Sequence, residues 1–248
     1  MKVYGIIPAR YGSTRLPAKV LADIAGKPMI QRVYERARRS PSLERLVVAT
    51  DDDRIFERVR EFGGEALKTS PTHPSGTDRV AEAAQALQAK ETDLIVNIQA
   101  DQPLFEFGMI DEVVGPFQDN PDLKMGALVY PIRTPEELAN PSVVKVVFDE
   151  KGFALYFSRS PMPYVISASF APRYYKHIGP YAVRMGFLLQ FTQLERGNLE
   201  RSESLEQLRA LEHGYKIRVV ETKFDSQEVD TLEDLEKVRK QILGFELG

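Results

Sequence analysis

Short apolar segments alternate with amphipathic segments through the first half of the chain, and this alternation limits the possible folds more than any other sequence feature. The apolar segments are residues 3–8, 46–50, 66–68 and 94–99. Apolar side chains recur at helical spacing in residues 28–39, 52–62, 76–87 and 107–117. Strands and helices joined by short connections favour a mostly parallel sheet covered by helices on both faces. The sequence thus predicts an α/β fold with a Rossmann-like, doubly wound core.

The second half is less regular. Strands are predicted at residues 125–131, 143–149, 153–157, 177–183 and 217–220. Residues 150–152 (Glu-Lys-Gly) have the composition of a hairpin turn, and the proline- and aromatic-rich stretch 161–175 indicates a loop. One helix is predicted at residues 199–213, and the last begins after Thr231 as its N-cap. Since no flexible linker divides the chain, we expect one domain spanning residues 1–248.

Charge and cysteine content exclude several classes of protein. The chain has no cysteine, which excludes disulfides, thiolate nucleophiles and cysteine-based zinc sites. A net charge of −3 provides no general basic field for nucleic acid or an acidic membrane. The apolar run at residues 1–7 is too short for a secretory signal or a membrane span. We therefore expect a cytoplasmic protein that binds neither nucleic acid nor a membrane.

The loop after the first strand concentrates positive charge. Arg10, Arg15 and Lys19 lie within residues 8–19, with glycine, serine and threonine at positions 12–14. A nucleoside triphosphate needs such dispersed cations and accessible backbone N–H groups, and ligands of doubly wound sheets bind where strands end. A solvated basic surface loop is the alternative interpretation. The spacing matches neither a Walker A motif nor the glycine fingerprint of dinucleotide-binding proteins.

This loop resembles the opening of CMP-sugar synthetases, and most closely that of the 3-deoxy-manno-octulosonate cytidylyltransferase (CMP-Kdo synthetase) family, through Pro-Ala-Arg-x-x-Ser-x-Arg-Leu-Pro-x-Lys. Later motifs of the family are matched in the same order. They are Ala49-Thr50-Asp51, Ser75-Gly76-Thr77-Asp78-Arg79, Gln99-Ala100-Asp101-Gln102-Pro103, Ala154-Leu155-Tyr156-Phe157-Ser158-Arg159, Lys176-His177-Ile178-Gly179, Leu205-Glu206-Gln207-Leu208-Arg209 and Val229-Asp230-Thr231. Several ordered motifs over nearly the whole chain make the resemblance specific.

The resemblance implies a fold of the nucleotide-diphospho-sugar transferase type. Residues of about 1–130 and 215–248 would form the nucleotide-binding core. A smaller α+β insertion at about 131–214 would provide the sugar site and the contact of a homodimer. The implied activity is the transfer of CMP from CTP to an acidic sugar of the Kdo type, for lipopolysaccharide biosynthesis.

Asp101 and Asp230 are, by the same resemblance, ligands of a Mg²⁺ cofactor, and carboxylates with substrate phosphates are usual Mg²⁺ ligands. Read alone, either aspartate could be a turn or capping residue. The predicted catalytic residues are Arg10, Arg15, Lys19 and Asp101. The predicted nucleotide-binding residues are Pro8, Ala9, Arg10, Ser13, Arg15, Lys19, Asp51, Ser75, Gly76, Thr77, Arg79 and Gln99. Ser75 is also a candidate N-cap, and Arg79 could equally lie on the helix surface.

An acidic sugar requires a cation for its carboxylate and polar groups for its hydroxyls. The predicted sugar-binding residues are Gln102, Arg159, His177, Tyr181, Glu203 and Gln207. Glu203 and Gln207 are four residues apart in the predicted helix 199–213, so we expect them to share one face. A lone histidine is more often structural than functional, but His177 lies within a matching motif.

The sequence departs from the family where the usual Gly-Asp-Glu-Pro reads Ala100-Asp101-Gln102-Pro103. Gln102 removes a charge near the predicted metal, and glutamine also occurs here in relatives that activate the 8-amino analogue of Kdo. The sugar is therefore open between these two and other acidic sugars. Other classes are a GT-A glycosyltransferase, for which Asp51-Asp52-Asp53 offers an Asp-x-Asp motif, and an inactive nucleotide-binding protein.

Overall fold

The computed structural model describes residues 1–12, 16–167, 169 and 171–246. The strands are β1 (Val3–Ala9), β2 (Asp23–Ile24), β3 (Lys27–Pro28), β4 (Arg45–Thr50), β5 (Ala66–Lys68), β6 (Leu94–Asn97), β7 (Met125–Pro131), β8 (Lys145–Phe148), β9 (Ala154–Ser158), β10 (Tyr175–Arg184) and β11 (Ile217–Glu221). The α-helices are α1 (Met29–Ala37), α2 (Asp53–Glu61), α3 (Gly76–Ala86), α4 (Gly108–Val114), α5 (Pro116–Asp119), α6 (Pro135–Ala139), α7 (Met185–Gln193), α8 (Asn198–Glu203), α9 (Glu206–Glu212) and α10 (Leu232–Glu246). Lys19–Leu21 forms a 3₁₀ helix.

A central sheet holds nine of these strands, with the main order β11-β7-β10-β6-β1-β4-β5. Strands β6, β1, β4 and β5 pair in parallel, and so do β7 and β11. Only β10 runs against its neighbours in this order, pairing antiparallel with both β6 and β7. Strand β8 branches from β10, and β9 pairs with β8. The predicted mostly parallel α/β sheet is confirmed.

Two buried apolar layers, one on each face of the sheet, hold the helices against it. The side chains of β1 alternate between these two layers. Tyr4 and Ile6 face one layer, while Ile7 and Ala9 face the other, because successive side chains of a strand point to opposite faces. Helices α3, α7 and α9 contribute to the first layer. Helices α1, α2 and α4 contribute to the second. Helices on both faces leave the ends of the parallel strands as the place for a ligand.

The prediction of one helix at residues 199–213 is wrong. Helix α8 ends at Glu203, Ser204 adopts a left-handed conformation with φ of 53°, and α9 begins at Glu206. The carbonyl oxygen of Glu203 accepts a hydrogen bond from Arg159 Nε at 2.7 Å. A tertiary hydrogen bond therefore uses a backbone carbonyl at the break. The apolar periodicity of the sequence does not predict such a contact.

Other boundaries also differ from the predictions. The predicted helix 107–117 is divided into α4 and α5 at Gly115-Pro116. Helices α6 and α7 and the small β2–β3 hairpin were not predicted, and neither was the 3₁₀ turn at the end of the first loop. The turn at residues 150–152 joins β8 to β9 as predicted, with Gly152 at φ of 74°.

The predicted insertion at about 131–214 requires a correction. Its strand β10 lies in the centre of the main sheet, between β6 and β7. Strand pairing is not encoded in the apolar pattern of a single segment, so this position could not be read from the sequence. Residues 135–158, which include α6, β8 and β9, lie outside the main strand order, and β8 pairs with β10. Among the described residues, no helix has the length and apolar composition needed to cross a bilayer.

Candidate active site

Three predicted residues from distant parts of the chain meet at one point. Lys19 begins the 3₁₀ helix that follows the β1 loop. Its Nζ donates to Asp101 Oδ2 at 2.8 Å and to Asp230 Oδ1 at 3.0 Å. Asp101 follows β6, and Asp230 immediately precedes the Thr231 cap of α10, where Thr231 Oγ1 accepts from the Asp234 N–H at 3.2 Å. The sheet thus brings the predicted phosphate cation and both predicted metal ligands together.

The electrostatics of this cluster keep Lys19 charged. Burial alone lowers the pKa of the Lys19 ammonium, but the charges and hydrogen bonds of Asp101 and Asp230 outweigh burial and raise its pKa above the ordinary value. The two carboxylates are therefore already arranged around one shared cation. Such oxygen ligands suit Mg²⁺, which binds one or two carboxylates and completes its shell with phosphate and water oxygens.

Among the described residues, no group of three or more histidine, cysteine, aspartate or glutamate side chains is arranged to hold a metal. Asp101 and Asp230 fit a Mg²⁺ ion that shares its coordination shell with a triphosphate. The donor set therefore agrees with a cation held jointly by protein and nucleotide.

The start of α3 lies against the end of β1. Ser75 is the N-cap of α3, and its hydroxyl accepts a hydrogen bond from the Asp78 N–H. A Cβ atom at Gly76 would lie 3.7 Å from Pro8 Cγ, so the predicted nucleotide-binding residues of these two motifs are adjacent. Free N–H groups at the first turn of a helix are suited to bind an anion or a polar base.

Arg79 does not lie on the surface of α3. It is 6% exposed, and its guanidinium lies 3.0 Å from Asp51 Oδ1 and donates to Thr69 Oγ1. Arg79 therefore joins the segments that follow β4 and β5. Asp52 caps α2, and Asp53 pairs with Lys68 at 2.6 Å. Asp51 and Asp53, the two carboxylates of the Asp-x-Asp motif, thus pair with two different cations. This arrangement does not favour a metal bound by both carboxylates.

A cleft of about 930 Å³ lies beside the Lys19 cluster. Its lining includes the predicted residues Arg159, His177 and Asp230, together with Lys176. Lys176 Nζ contacts Glu137 at 2.5 Å and Asp225 at 3.0 Å, so it ties α6 to the segment after β11. The predicted sugar-binding cation, the histidine and a predicted metal ligand therefore face one cavity.

His177 and Gln207, both predicted to bind the sugar, are in contact. His177 Nδ1 lies 3.1 Å from the carbonyl oxygen of Leu128, which can only accept, so Nδ1 carries the proton. The other nitrogen, Nε2, lies 3.1 Å from Gln207 Nε2 and accepts from that amide. Part of the residue faces the cleft, but the ring itself is enclosed, and this desolvation lowers the pKa of His177. A neutral His177 thus orients the Gln207 amide.

Arg159 and Glu203 also form a pair. Glu203 accepts hydrogen bonds from Ser158 Oγ at 2.6 Å and from the Arg159 N–H at 2.9 Å. The Arg159 guanidinium donates to the carbonyl oxygens of Glu203 at 2.7 Å and Pro141 at 2.9 Å. Because the helix is broken after Glu203, this residue and Gln207 do not share a face, and each contacts a different partner.

A buried polar network beside Gln207 includes a residue that the sequence analysis missed. Tyr181 Oη accepts from Asn97 Nδ2 at 2.7 Å and contacts Thr77 Oγ1 at 2.9 Å. Thr77 Oγ1 also donates to Glu206. The Glu206 Oε1 atom accepts no hydrogen bond from the described residues and lies 3.8 Å from Arg209. Glu206 lies in the matching Leu205–Arg209 motif, but the predicted continuous helix favoured Glu203 as the sugar-binding residue.

A third carboxylate, Glu228, lies near Asp101 and Asp230 and was not predicted. Its surface opens to the cleft, but protein atoms crowd its carboxyl group. This desolvation, together with the charges of Asp101 and Asp230, raises the pKa of Glu228 to about 7. Gln102, predicted as sugar-binding, is 2% exposed, and its Nε2 donates to Glu228 Oε1 at 3.1 Å.

The remaining predicted residues lie along the same edge of the sheet or outside the described part. Arg10 is exposed directly after β1, where Ala9 is buried. Gln99 follows β6 and is half-buried. Ser13 and Arg15 lie outside the described residues, so their predicted contacts with nucleotide remain predictions.

The chain is similar to known proteins over most of its length. A family model described as cytidylyltransferase matches residues 4–217. The 3-deoxy-manno-octulosonate cytidylyltransferase of Syntrophus aciditrophicus is 55% identical over 243 residues, which cover 98% of each protein. The protein of the same description from Geobacter sulfurreducens is 51% identical, covering 98% of this chain and 100% of that protein.

Solved structures give the same result. A CMP:2-keto-3-deoxy-manno-octonic acid synthetase complexed with CTP is 44% identical and superposes with a TM-score of 0.93, over 98% of this chain and 99% of its own. A 4-diphosphocytidyl-2C-methyl-D-erythritol synthase reaches a TM-score of 0.66 at 14% identity, over 98% of this chain and 100% of its own. This second likeness shows the fold alone.

Proposed function

The chain belongs to the cytidylyltransferase family, and on that premise we propose that it transfers CMP from CTP to the anomeric hydroxyl of 3-deoxy-D-manno-octulosonate, giving CMP-Kdo and pyrophosphate. The observation that carries the proposal is the Lys19 ammonium between Asp101 and Asp230, with Asp230 also lining the cleft of Arg159 and His177. A triphosphate site and a sugar site therefore share one wall.

The proposed chemistry is nucleotidyl transfer without a covalent enzyme intermediate. The anomeric hydroxyl attacks the α-phosphorus and releases its proton to solvent, the bond to the bridging oxygen of the β-phosphate breaks, and pyrophosphate leaves. Lys19, with Arg10 and Arg15, would neutralise charge on the triphosphate. Catalysis then consists of positioning and electrostatic stabilisation rather than of acid–base relay.

Asp101 and Asp230 would hold Mg²⁺, which supplies charge stabilisation to the phosphate oxygens when bound. The support is the pair of carboxylates within 3.0 Å of one ammonium. With Mg²⁺ held by these two carboxylates, the Lys19 ammonium would pair with phosphate oxygens.

The sugar would bind in the cleft with its carboxylate toward Arg159. Gln207, oriented by His177, offers an amide to hydroxyl groups, and Tyr181 and Glu203 provide further polar groups near it. Glu206 lies beside Gln207 in a separate small cavity, and its Oε1 atom is buried, so we assign it no sugar contact.

The test is pyrophosphate release from CTP and Mg²⁺ with either Kdo or its 8-amino analogue, with UTP and ATP as nucleotide controls. We expect release with CTP and Kdo and little with the other nucleotides. Release with the 8-amino analogue alone would mean that the proposed sugar is wrong and the proposed reaction is right. A glycosyltransferase would instead consume a nucleotide-sugar without releasing pyrophosphate, and CTP binding without release under either sugar would indicate an inactive relative.

The cellular setting follows from the same proposal. A Kdo-activating enzyme serves lipopolysaccharide biosynthesis and, because its substrates CTP and Kdo are soluble, would work in the cytoplasm. We also expect a homodimer. Leu155 on β9 and Tyr164 and Ile166 in the following loop are 63%, 88% and 94% exposed, and apolar side chains this exposed favour a contact with a second copy.

A further inference from the structure

Gln102 faces the interior of the protein, away from the sugar cleft. Its backbone lies in a turn, with the Phe105 N–H donating to the Gln102 carbonyl oxygen at 3.2 Å. Its amide makes two hydrogen bonds, donating to Glu228 Oε1 at 3.1 Å and accepting from Ser226 Oγ at 3.3 Å. Among the described residues that line the cleft, Glu228 and Ser226 are included and Gln102 is not.

These hydrogen bonds act on the segment that carries Asp230. The Val229 N–H donates to the carbonyl oxygen of Asp101 at 2.8 Å, so residues 101 and 102 hold residues 226, 228 and 229 together. On the other side, the Asp230 N–H donates to Asp234 Oδ2 at 3.2 Å. The segment that carries Asp230 is thus held against residues 101 and 102 by the Val229 backbone and the Gln102 amide, and the Asp230 backbone is held on the other side by Asp234.

The chemistry of an amide explains why glutamine fits this position. One end of the amide donates and the other accepts, so it satisfies a carboxylate and a hydroxyl at once. A carboxylate at position 102 could accept from Ser226 but has no N–H group to donate to Glu228, so one of the two hydrogen bonds would be lost. Gln102 and Glu228 therefore form a matched pair.

We propose that Gln102 is a positioning residue of the Mg²⁺ site and does not select the sugar. The inference rests on the proposed function, in which Asp101 and Asp230 hold the metal. If this is correct, the glutamine at position 102 does not indicate whether the sugar is Kdo or its 8-amino analogue. Residues next to metal ligands change metal affinity by about 10- to 100-fold when their contacts are removed.

The test uses Gln102→Met, which keeps the side-chain volume and removes both hydrogen bonds. Mn²⁺ binding to the CTP-loaded protein without sugar is measured by electron paramagnetic resonance. We expect the Mn²⁺ dissociation constant to rise by about 10- to 100-fold, while the KM for Kdo at saturating metal and the preference between the two sugars stay unchanged. Gln118→Met, at an exposed position in α5, is the matched control.

Two further variants keep the proposal testable if Gln102→Met folds poorly. Ser226→Ala removes one of the two bonds, and we expect a weaker effect of about 2- to 10-fold on the same constant. The exchanged pair Gln102→Glu with Glu228→Gln keeps the total charge and rebuilds the bond with donor and acceptor reversed. Its Mn²⁺ affinity should lie close to that of the wild type.

Unchanged Mn²⁺ binding in Gln102→Met, with an altered sugar KM or sugar preference, would overturn the proposal. Failure of the exchanged pair to recover Mn²⁺ affinity, in a protein with a wild-type unfolding midpoint, would also contradict it. If the wild-type protein with CTP binds no Mn²⁺, the metal site fails together with this inference. Pyrophosphate release by the wild type, measured separately, shows whether the proposed reaction itself holds.

Discussion

At the scale of a single residue, Lys19 connects the proposed phosphate site with the proposed metal site. Its ammonium is 2.8 Å and 3.0 Å from two carboxylates, and its side chain is 12% exposed. One cation shared by two acids keeps the acids close together when no other cation is bound. In the proposed reaction the same charge would neutralise the triphosphate, so its loss should affect the reaction more than the fold.

We expect Lys19→Met to lower kcat by about 10²- to 10³-fold, the usual effect of removing one preorganised charge from a developing anion. Pyrophosphate release with CTP and Kdo measures the change, and circular dichroism checks the fold. Lys27→Met is the control, because Lys27 pairs with Glu35 on the exposed surface at 2.7 Å. Near-normal turnover in Lys19→Met would show that the phosphate contact is assigned to the wrong residue.

His177 provides a prediction for pH. Burial lowers its pKa below the ordinary 6.5, so below that pH the unfolded chain binds more protons than the folded chain. The free energy of unfolding therefore falls as the pH drops through 6.5. His177→Gln can still donate to the Leu128 carbonyl oxygen and should lose less stability on acidification than the wild type, by up to about 1 kcal/mol near pH 5.5.

Urea unfolding midpoints at about pH 7.5 and pH 5.5 measure this difference. His73 and His213 remain in both proteins, so the comparison isolates His177. Equal pH dependence of the two proteins would mean that His177 is protonated as easily when folded as when unfolded. In that case, the enclosed neutral ring would not describe the protein in solution.

At the scale of elements, the break between α8 and α9 determines which partners Glu203 and Gln207 contact. A continuous helix would direct Glu203 and Gln207 to one side. With the break, Glu203 binds Ser158 and the Arg159 backbone, and Gln207 reaches His177. Ser204 permits the break by adopting φ of 53°, a conformation that costs most L-residues about 1 kcal/mol or more.

Ser204→Gly should therefore keep or raise stability, by up to about 1 kcal/mol, because glycine adopts positive φ without steric cost. In a continuous helix the same substitution would lower stability by about 0.5 kcal/mol or more. Ser202→Gly, inside α8, is the comparison and should be destabilising. Urea unfolding measures both variants, and a loss of stability in Ser204→Gly equal to that in Ser202→Gly would argue for an unbroken helix.

At the scale of the whole molecule, the sheet gathers residues that are far apart in sequence. Strand β6 delivers Asp101, the segment after β11 delivers Asp230, and β10 delivers His177 and Tyr181. Strand β10 lies between β6 and β7, and its register shifts between Ile178 and Tyr181. At this shift Gly179 has φ of 72° and lies against Met109, so a side chain there would be both strained and crowded.

The exposed apolar residues near β9 give a prediction on assembly. We expect the wild-type protein to be a dimer and Leu155→Glu to be a monomer, because a buried charge without a partner opposes association. Sedimentation velocity measures the mass of both. Leu232→Glu is the matched control, since Leu232 is 61% exposed against 63% for Leu155 but begins α10. Dimers of equal stability in both variants would place the contact elsewhere.

The sequence by itself determined the alternation of strands and helices, the cationic loop with Lys19, and the two acids that follow extended segments. These features depend on local periodicity and on residue chemistry, which a single segment carries. It also indicated the caps at Ser75 and Thr231, because a cap is a contact within a few residues. Each of these features was visible in the sequence before any spatial arrangement was known.

Only the tertiary structure decided how these parts are combined. The position of β10, the break at Ser204, the inward side chain of Gln102 and the nearness of Glu228 to Asp101 all depend on residues more than twenty positions apart. Long-range pairing is set by the packing of whole faces and by hydrogen bonds whose partners no local pattern specifies. For that reason, the sequence determined which groups the protein has, and the fold determined which of them meet.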